Sequence, residues 1–169
     1  MLKFMEIKPA DIERNVFELI SNDWFIIAAA CGGKTNAMTA SWAGLGRLWN
    51  KDVVFLFVRP QRYTNELMES ADNFSVSVFN DAYRDKLNYL GTVSGRDEDK
   101  ITKSGFTLLT DEAAPYFTEA DITIFCRKLY MQKLEKDCFA PFAQDFNAQH
   151  YPMNDHHFLY IGEITKVFI

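Results

Sequence analysis

The sequence predicts a single, mainly β domain over residues 1–169: a small antiparallel barrel, closed or nearly closed, with short peripheral helices. Three observations predict it. Apolar runs of strand length recur along the chain, bounded by glycine, proline and asparagine turn signals. Short helical patterns separate them, and no crossover helix is long enough to build a parallel sheet. With 169 residues, 48% hydrophobic and 24% charged, the chain can bury a core without metal or disulfide staples.

The elements follow in order. Pro9 stands where a first helical turn tolerates it, and Ile12, Val16, Leu19 and Ile20 recur at helical spacing up to Ser21-Asn22, which predicts one short amphipathic helix. Trp24 to Cys31 is a continuous apolar run ended by Gly32-Gly33-Lys34, a central strand and a hairpin turn. Ala37 to Ala43 is placed to pair back on it, and Val53 to Val58 is a third strand stopped by Arg59-Pro60. Thr64 reads as the N-cap of a helix T-N-E-L-M-E-S-A, with Glu66 complementing its dipole. Phe74 to Phe79 alternates, so its serines lie on the face opposite Phe74, Val76 and Val78. Asn80-Asp81 caps a helix carrying Leu87 and Leu90 and stopping at Gly91; Ser94 to Asp97 opens another through Glu98 to Ser104, closed by Gly105. From Ala120 to Glu135 a long strand puts Ile122, Ile124, Cys126, Lys128 and Tyr130 on one side. Cys138 to Asp155 fits no periodic element and reads as an aromatic lid or interface loop, and His157 to Ile169 is a last strand broken by Gly162.

Composition excludes several classes. Eighteen basic against 23 acidic side chains, net charge -5, offer no basic cluster for a nucleic-acid backbone. The N-terminal stretch reaches charged residues within a few positions, so neither a signal peptide nor a membrane span starts there, and the chain reads as cytoplasmic. Cys31, Cys126 and Cys138 form no C-x-x-C and read as reduced packing residues. Ser41 and His157 lack the G-x-S-x-G elbow of a hydrolase.

The chemistry concentrates between Thr35 and Thr64. In an extended stretch Thr39 and Ser41 point one way, while small Ala37 and Ala40 let a ligand approach the backbone. Arg59 and Arg62 flank Pro60 at the end of a buried strand, where a guanidinium fork can grip phosphate oxygens, and Thr64 sits at a helix start nearby. Taken singly these read more readily as strand-end charge and ordinary strand polarity. Together they describe a phosphate pocket.

The motifs N-A-M-T-A-S-W, V-R-P-x-R-Y-T, N-x-x-Y-x-x-x-L-N-Y-L-G, S-G-R-D-x-D-K and D-H-H-F-L-Y-I-G-E-I, in this order over most of the chain, resemble the flavin reductase-like, flavoredoxin-type proteins with an FMN-binding split β-barrel. The resemblance implies one FMN-binding domain. It sets Asn36, Ala37, Met38, Thr39, Ala40 and Ser41 around the isoalloxazine edge and ribityl-phosphate, the turn of Arg59, Pro60, Arg62, Tyr63 and Thr64 nearer the phosphate, and Asn80, Ser94 and Gly95 completing the site. The run G-L-G-R-L-W-N, with Arg47 and Trp49, departs from the family pattern and bears on the substrate side. His150, His156 and His157 lack a third metal ligand at suitable spacing; a polar strand start and a flavin or nicotinamide contact are both open for them. The implied activity is an NAD(P)H-dependent flavin oxidoreductase, with NADH or NADPH as co-substrate and the flavin carrying the chemistry. The alternative is a flavoredoxin-like electron carrier serving a redox protein partner, and a third reading is a barrel for another phosphorylated ligand. The resemblance and the aromatic loop Phe139 to Tyr151 together imply a homodimer with FMN near the interface.

Overall fold

The computed structural model of the chain describes residues 4–169; Met1 to Lys3, the beginning of the charged N-terminal stretch, lie outside them. Strand β1 is Glu6–Ile7. The helix expected from Pro9 is two pieces, a 3-10 turn Pro9–Asp11 and helix α1, Val16–Ser21. Ile12 is extended between them, and the Asn15 side chain starts α1 by accepting from the amides of Phe17 and Glu18 at 2.9 and 3.3 Å.

Strands β2 (Phe25–Cys31) and β3 (Lys34–Ala40) form the expected hairpin, its turn made by Gly32 and Gly33 at φ +58° and +75°. A second hairpin follows, of which the sequence reading recovered only the return strand: β4 (Ala43–Leu48) and β5 (Lys51–Val58), turned at Trp49 and Asn50 with φ 50° and 59°. Then come helix α2 (Tyr63–Ser70), strand β6 (Asn73–Val78) and helix α3 (Arg84–Thr92), which runs through Gly91 instead of stopping there. Helix α4 (Lys100–Ser104) is capped by Asp99 and closed, as expected, by Gly105 at φ 69°. The short pair β7 (Leu108–Leu109) and β8 (Tyr116–Phe117), strand β9 (Ile122–Lys133), helix α5 (Gln144–His150) and strand β10 (Phe158–Phe168) complete the order. The segment read as a structureless loop thus holds α5 and two 3-10 turns, Lys136–Cys138 and Pro141–Ala143.

The main sheet is antiparallel throughout, in the order β3-β2-β6-β9-β10-β5-β4, with β1 on the far end of β10. It curls around one core, because Phe25, Ile27, Met38, Leu56, Phe74, Ile124 and Tyr160, from six different strands, pack in a single buried cluster with Leu67 and Met68 of α2. Each such side chain contributes about 1.5–3 kcal/mol of burial. The sheet's two ends, β3 and β4, are joined in sequence only by Ser41 and Trp42, and no ladder closes them among the described residues. Outside β2, β3 and β6, a second core forms where Ile26, Ala37 and Phe79 meet Leu87 and Leu90 of α3.

This layering meets one expectation and corrects another. Ser75 and Ser77 do lie opposite Phe74 and Val76, yet both are fully buried: Ser75 Oγ donates to the Pro115 carbonyl and Ser77 meets Thr123 at 3.3 Å. And Gly162 does not break β10. A Cβ there would lie 2.5 Å from Phe74 Cζ and 2.8 Å from Cys126 Cβ, so the glycine makes room for a core phenyl ring. The ladder slips at this point, leaving Leu129 as an extra residue of β9 and ending the alternation before Tyr130.

Candidate functional site

Three local decisions bring the site together. Strand β3 ends in Met38 to Ala40 and runs into the link Ser41–Trp42; β5 ends at Val58 and turns through Arg59 to Gln61; and α2 begins immediately after. Arg62, with extended φ and ψ, is the N-cap residue, and Thr64 lies inside the first turn and is not the cap expected of it. Its buried hydroxyl instead accepts from Asn36 Nδ2 at 3.0 Å. The other end of that amide lies against Gly95, where a Cβ would sit 2.2 Å from Asn36 Oδ1. One buried asparagine thereby ties β3, α2 and the Ser94–Gly95 turn to each other.

Around this knot lies a small cavity of about 180 Å³, lined among others by Asn36, Arg62, Thr64, Ser94, Gly95 and Lys100. Arg62 Nη1 donates to the Gly91 carbonyl at 2.7 Å, while its Nη2 is buried with no partner among the described residues. Burial lowers the pKa of this guanidinium. Lys100 is only 3% exposed and donates to the carbonyls of Leu90 and Val93 at 2.8 and 3.0 Å. Burial, and then the Arg62 charge, push its pKa down to about 8. Two buried cations, one with an unspent donor, give this corner the positive charge and free N–H that suit an anion with several oxygens.

Gln61 and Arg62 also line a neighbouring, larger cavity of about 340 Å³, walled by Met38 to Trp42, Phe57, Arg59 and His157. Thr39 donates its hydroxyl to the Leu87 carbonyl at 2.5 Å, so that proton holds α3 against β3 and is not free for a ligand. Ser41 lines the cavity with no protein hydrogen-bond partner among the described residues. Arg59 reaches the wall, but its guanidinium is spoken for: Nη1 pairs with Asp155, Nη2 donates to the His150 carbonyl at 2.8 Å, and the charge lies 5.4 Å from the Tyr151 ring centre. It ties the 138–155 segment to the end of β5. His157, 6% exposed, is held neutral, its pKa lowered to about 4 by burial and then by Arg59. A third, apolar cavity of about 450 Å³ beneath α5, bigger than either, shares Ser41, Trp42 and Phe57 with the 340 Å³ cavity, which is the larger of the two that Arg62 lines.

Of the residues singled out by sequence, Asn36, Met38, Thr39, Ala40, Ser41, Arg59, Arg62, Tyr63, Thr64, Ser94 and Gly95 converge on these two cavities. Ala37 faces the second core, Pro60 lines neither cavity, and Asn80 is occupied elsewhere, accepting from the Ala82 amide and donating to Asp121. Reading by sequence missed Lys100 and Trp42. Lys100 carried a signal, since it closes the S-G-R-D-x-D-K motif; its burial did not, because lysine is rarely buried unpaired.

Residues 18–169 match the family described as flavin reductase like domain. The chain belongs to the flavin reductase-like family. Among solved structures, this member resembles an FMN-binding domain of a flavin reductases-like enzyme from Shewanella baltica, with TM-score 0.70 and 16% identity over 98% of this chain and 76% of that one. Flavoredoxin from Methanosarcina acetivorans follows at TM-score 0.65 and 25% identity over 95% and 75%, and flavoredoxin of Desulfovibrio vulgaris at 0.66 and 22% over the same shares. No curated protein sequence matches the chain significantly. The flavin reductase-like fold expected from the motifs is therefore the observed one, an antiparallel sheet curled into an open barrel with short helices. Among its described residues no helix is long and apolar enough to cross a membrane.

Proposed function

We propose that this chain binds FMN and acts as an NAD(P)H-dependent flavin oxidoreductase. The observation that carries the reading is the unspent, buried Nη2 of Arg62 beside Lys100, in a corner that Gly95 keeps free of side chain. A phosphate monoester supplies the acceptor oxygens that such a pair of cations lacks. Arg62, Lys100, Thr64, Ser94 and Gly95 would hold the phosphate; Met38 to Trp42, Phe57 and His157 would enclose the organic half. Bound FMN would supply acceptance of a hydride from NADH or NADPH. The work left to the protein is to bind, to orient and to keep water out. The chain spans about three quarters of the length of the FMN-binding and flavoredoxin structures it resembles.

The flavoredoxins among those structures support a second reading, an electron carrier that serves a redox protein partner and turns over nicotinamide slowly. The rate of flavin bleaching with NADH and NADPH separates the two. We also propose a homodimer with the flavin near its interface, supported by Phe142 and Phe146, 86% and 56% exposed on the 138–155 segment. Free thiols at Cys31, Cys126 and Cys138 agree with a reducing, cytoplasmic setting.

Parallel titrations with FMN and riboflavin test the site. Arg62→Ala should weaken FMN binding by about 1.5–3 kcal/mol, the scale of a charge-assisted hydrogen bond, and leave riboflavin nearly unchanged. Equal losses for both ligands, or none, would place the phosphate grip elsewhere.

A further inference from the structure

The segment between α5 and β10 sends one hydroxyl to the wall of the larger cavity. Tyr151 is buried and its OH lies 2.9 Å from His157 Nδ1. A buried phenol proton left without an acceptor is costly, so it goes to Nδ1. Among the described residues it has no other acceptor. Nδ1 then carries a lone pair and no hydrogen, which leaves the hydrogen of the neutral imidazole on Nε2. That nitrogen has no protein partner among the described residues, on a ring that walls the cavity 4.8 Å from the ring of Trp42.

We propose that Tyr151 is a positioning residue: its hydroxyl fixes His157 in the tautomer that presents an Nε2–H donor to the larger cavity, so the site selects a ligand with a carbonyl-type oxygen acceptor at that point. The ring stays neutral while it does so, because burial and the Arg59 charge outweigh Asp155, and His150 and His156 add to the same side. Arg59 lies over the Tyr151 ring, 5.4 Å from its centre, and pairs with Asp155, which adds to the contacts that hold the phenol in place.

The proposal rests on the flavin reading only for the ligand that meets Nε2; the tautomer is read on the free protein. Nitrogen-15 spectra of histidine-labelled protein, with His157→Asn used to identify the His157 signals, should show a pyridine-type Nδ1 and a pyrrole-type Nε2. In Tyr151→Phe that single tautomer should give way to a mixture, and FMN and riboflavin affinity should fall together by about fivefold, since the phosphate corner is untouched. An Nδ1–H tautomer in the wild type, or an unchanged spectrum in a folded Tyr151→Phe, overturns the proposal. If Tyr151→Phe does not fold, the wild-type spectrum alone decides. Absence of flavin binding by the wild type would sink the proposed function and leave the tautomer readout standing.

Discussion

Lys100 shows what a single buried charge can report. It donates to two carbonyls at the end of α3, which a neutral amine can do as well as an ammonium; only the ammonium has a third N–H for an anion. Its pKa is lowered from 10.5 to about 8, so between those values the unfolded chain holds a proton that the folded chain has lost. Stability of the free protein should therefore rise as pH climbs through this window. A phosphate dianion in the corner favours the charged form and pulls the proton back. FMN affinity should then fall as pH rises above about 8, by up to about tenfold per pH unit, while riboflavin affinity stays flat. Fluorescence titrations with both flavins between pH 7 and pH 9.5 check it, and a parallel decline for the two would mean that Lys100 does not face the phosphate. The sequence reading gave Arg59 and Arg62 one task, whereas only Arg62 lines this corner. Both sit in one R-P-Q-R turn, and nothing in that spacing says that Asp155, distant in sequence, claims the first of them.

At the scale of elements, Gly162 carries the sharpest prediction. Gly162→Ala drives a methyl into Phe74 and Cys126 across a ladder that cannot yield, and should destabilise the fold by about 1–3 kcal/mol in a urea titration. Phe74→Leu in the same chain should recover part of the loss; no loss in the single variant would mean that the sheet moves apart here with ease. Strands with continuous apolar runs, such as Phe25–Cys31 and Val53–Val58, were legible because burial on both faces writes itself into every residue. Strand β4 was not: Gly44 and Gly46 alternate with Leu45 and Arg47, and a glycine facing Phe55 leaves no apolar signal. Its turn hid for a related reason, since Trp49 takes a left-handed conformation that only its Asn50 partner advertises. Helix α1 lost its first half because the Asn15 cap outcompeted helical periodicity through Ile12.

For the molecule as a whole, the antiparallel barrel was legible from the lack of long crossovers, whereas its open seam was not, because closure depends on which strands end up at the edges. The seam matters for assembly. The larger cavity lies beside it, and Phe146 of α5 lines the apolar cavity that shares Trp42. A second copy laid over this face would cover both. Light scattering at micromolar concentration with FMN present should give twice the monomer mass, and Phe142→Glu with Phe146→Glu should shift it toward the monomer while the free fold survives, since both side chains are exposed. A monomer with flavin bound would refute the dimer.

The order of strands in the sheet also sets a timetable. Hairpins β2–β3 and β4–β5 can close locally, but β5 meets β10 only through pairs such as Phe57 with Leu159, after most of the chain between them has found its place. The ends of β3 and β5 wall the larger cavity together with His157 just before β10, so the pocket exists only once β5 and β10 have paired. A flavin bound in that pocket would thus come too late to guide refolding. In stopped-flow experiments, excess FMN should leave the refolding rate unchanged and slow unfolding alone. A cell short of flavin would then make this protein as fast as ever and lose it sooner.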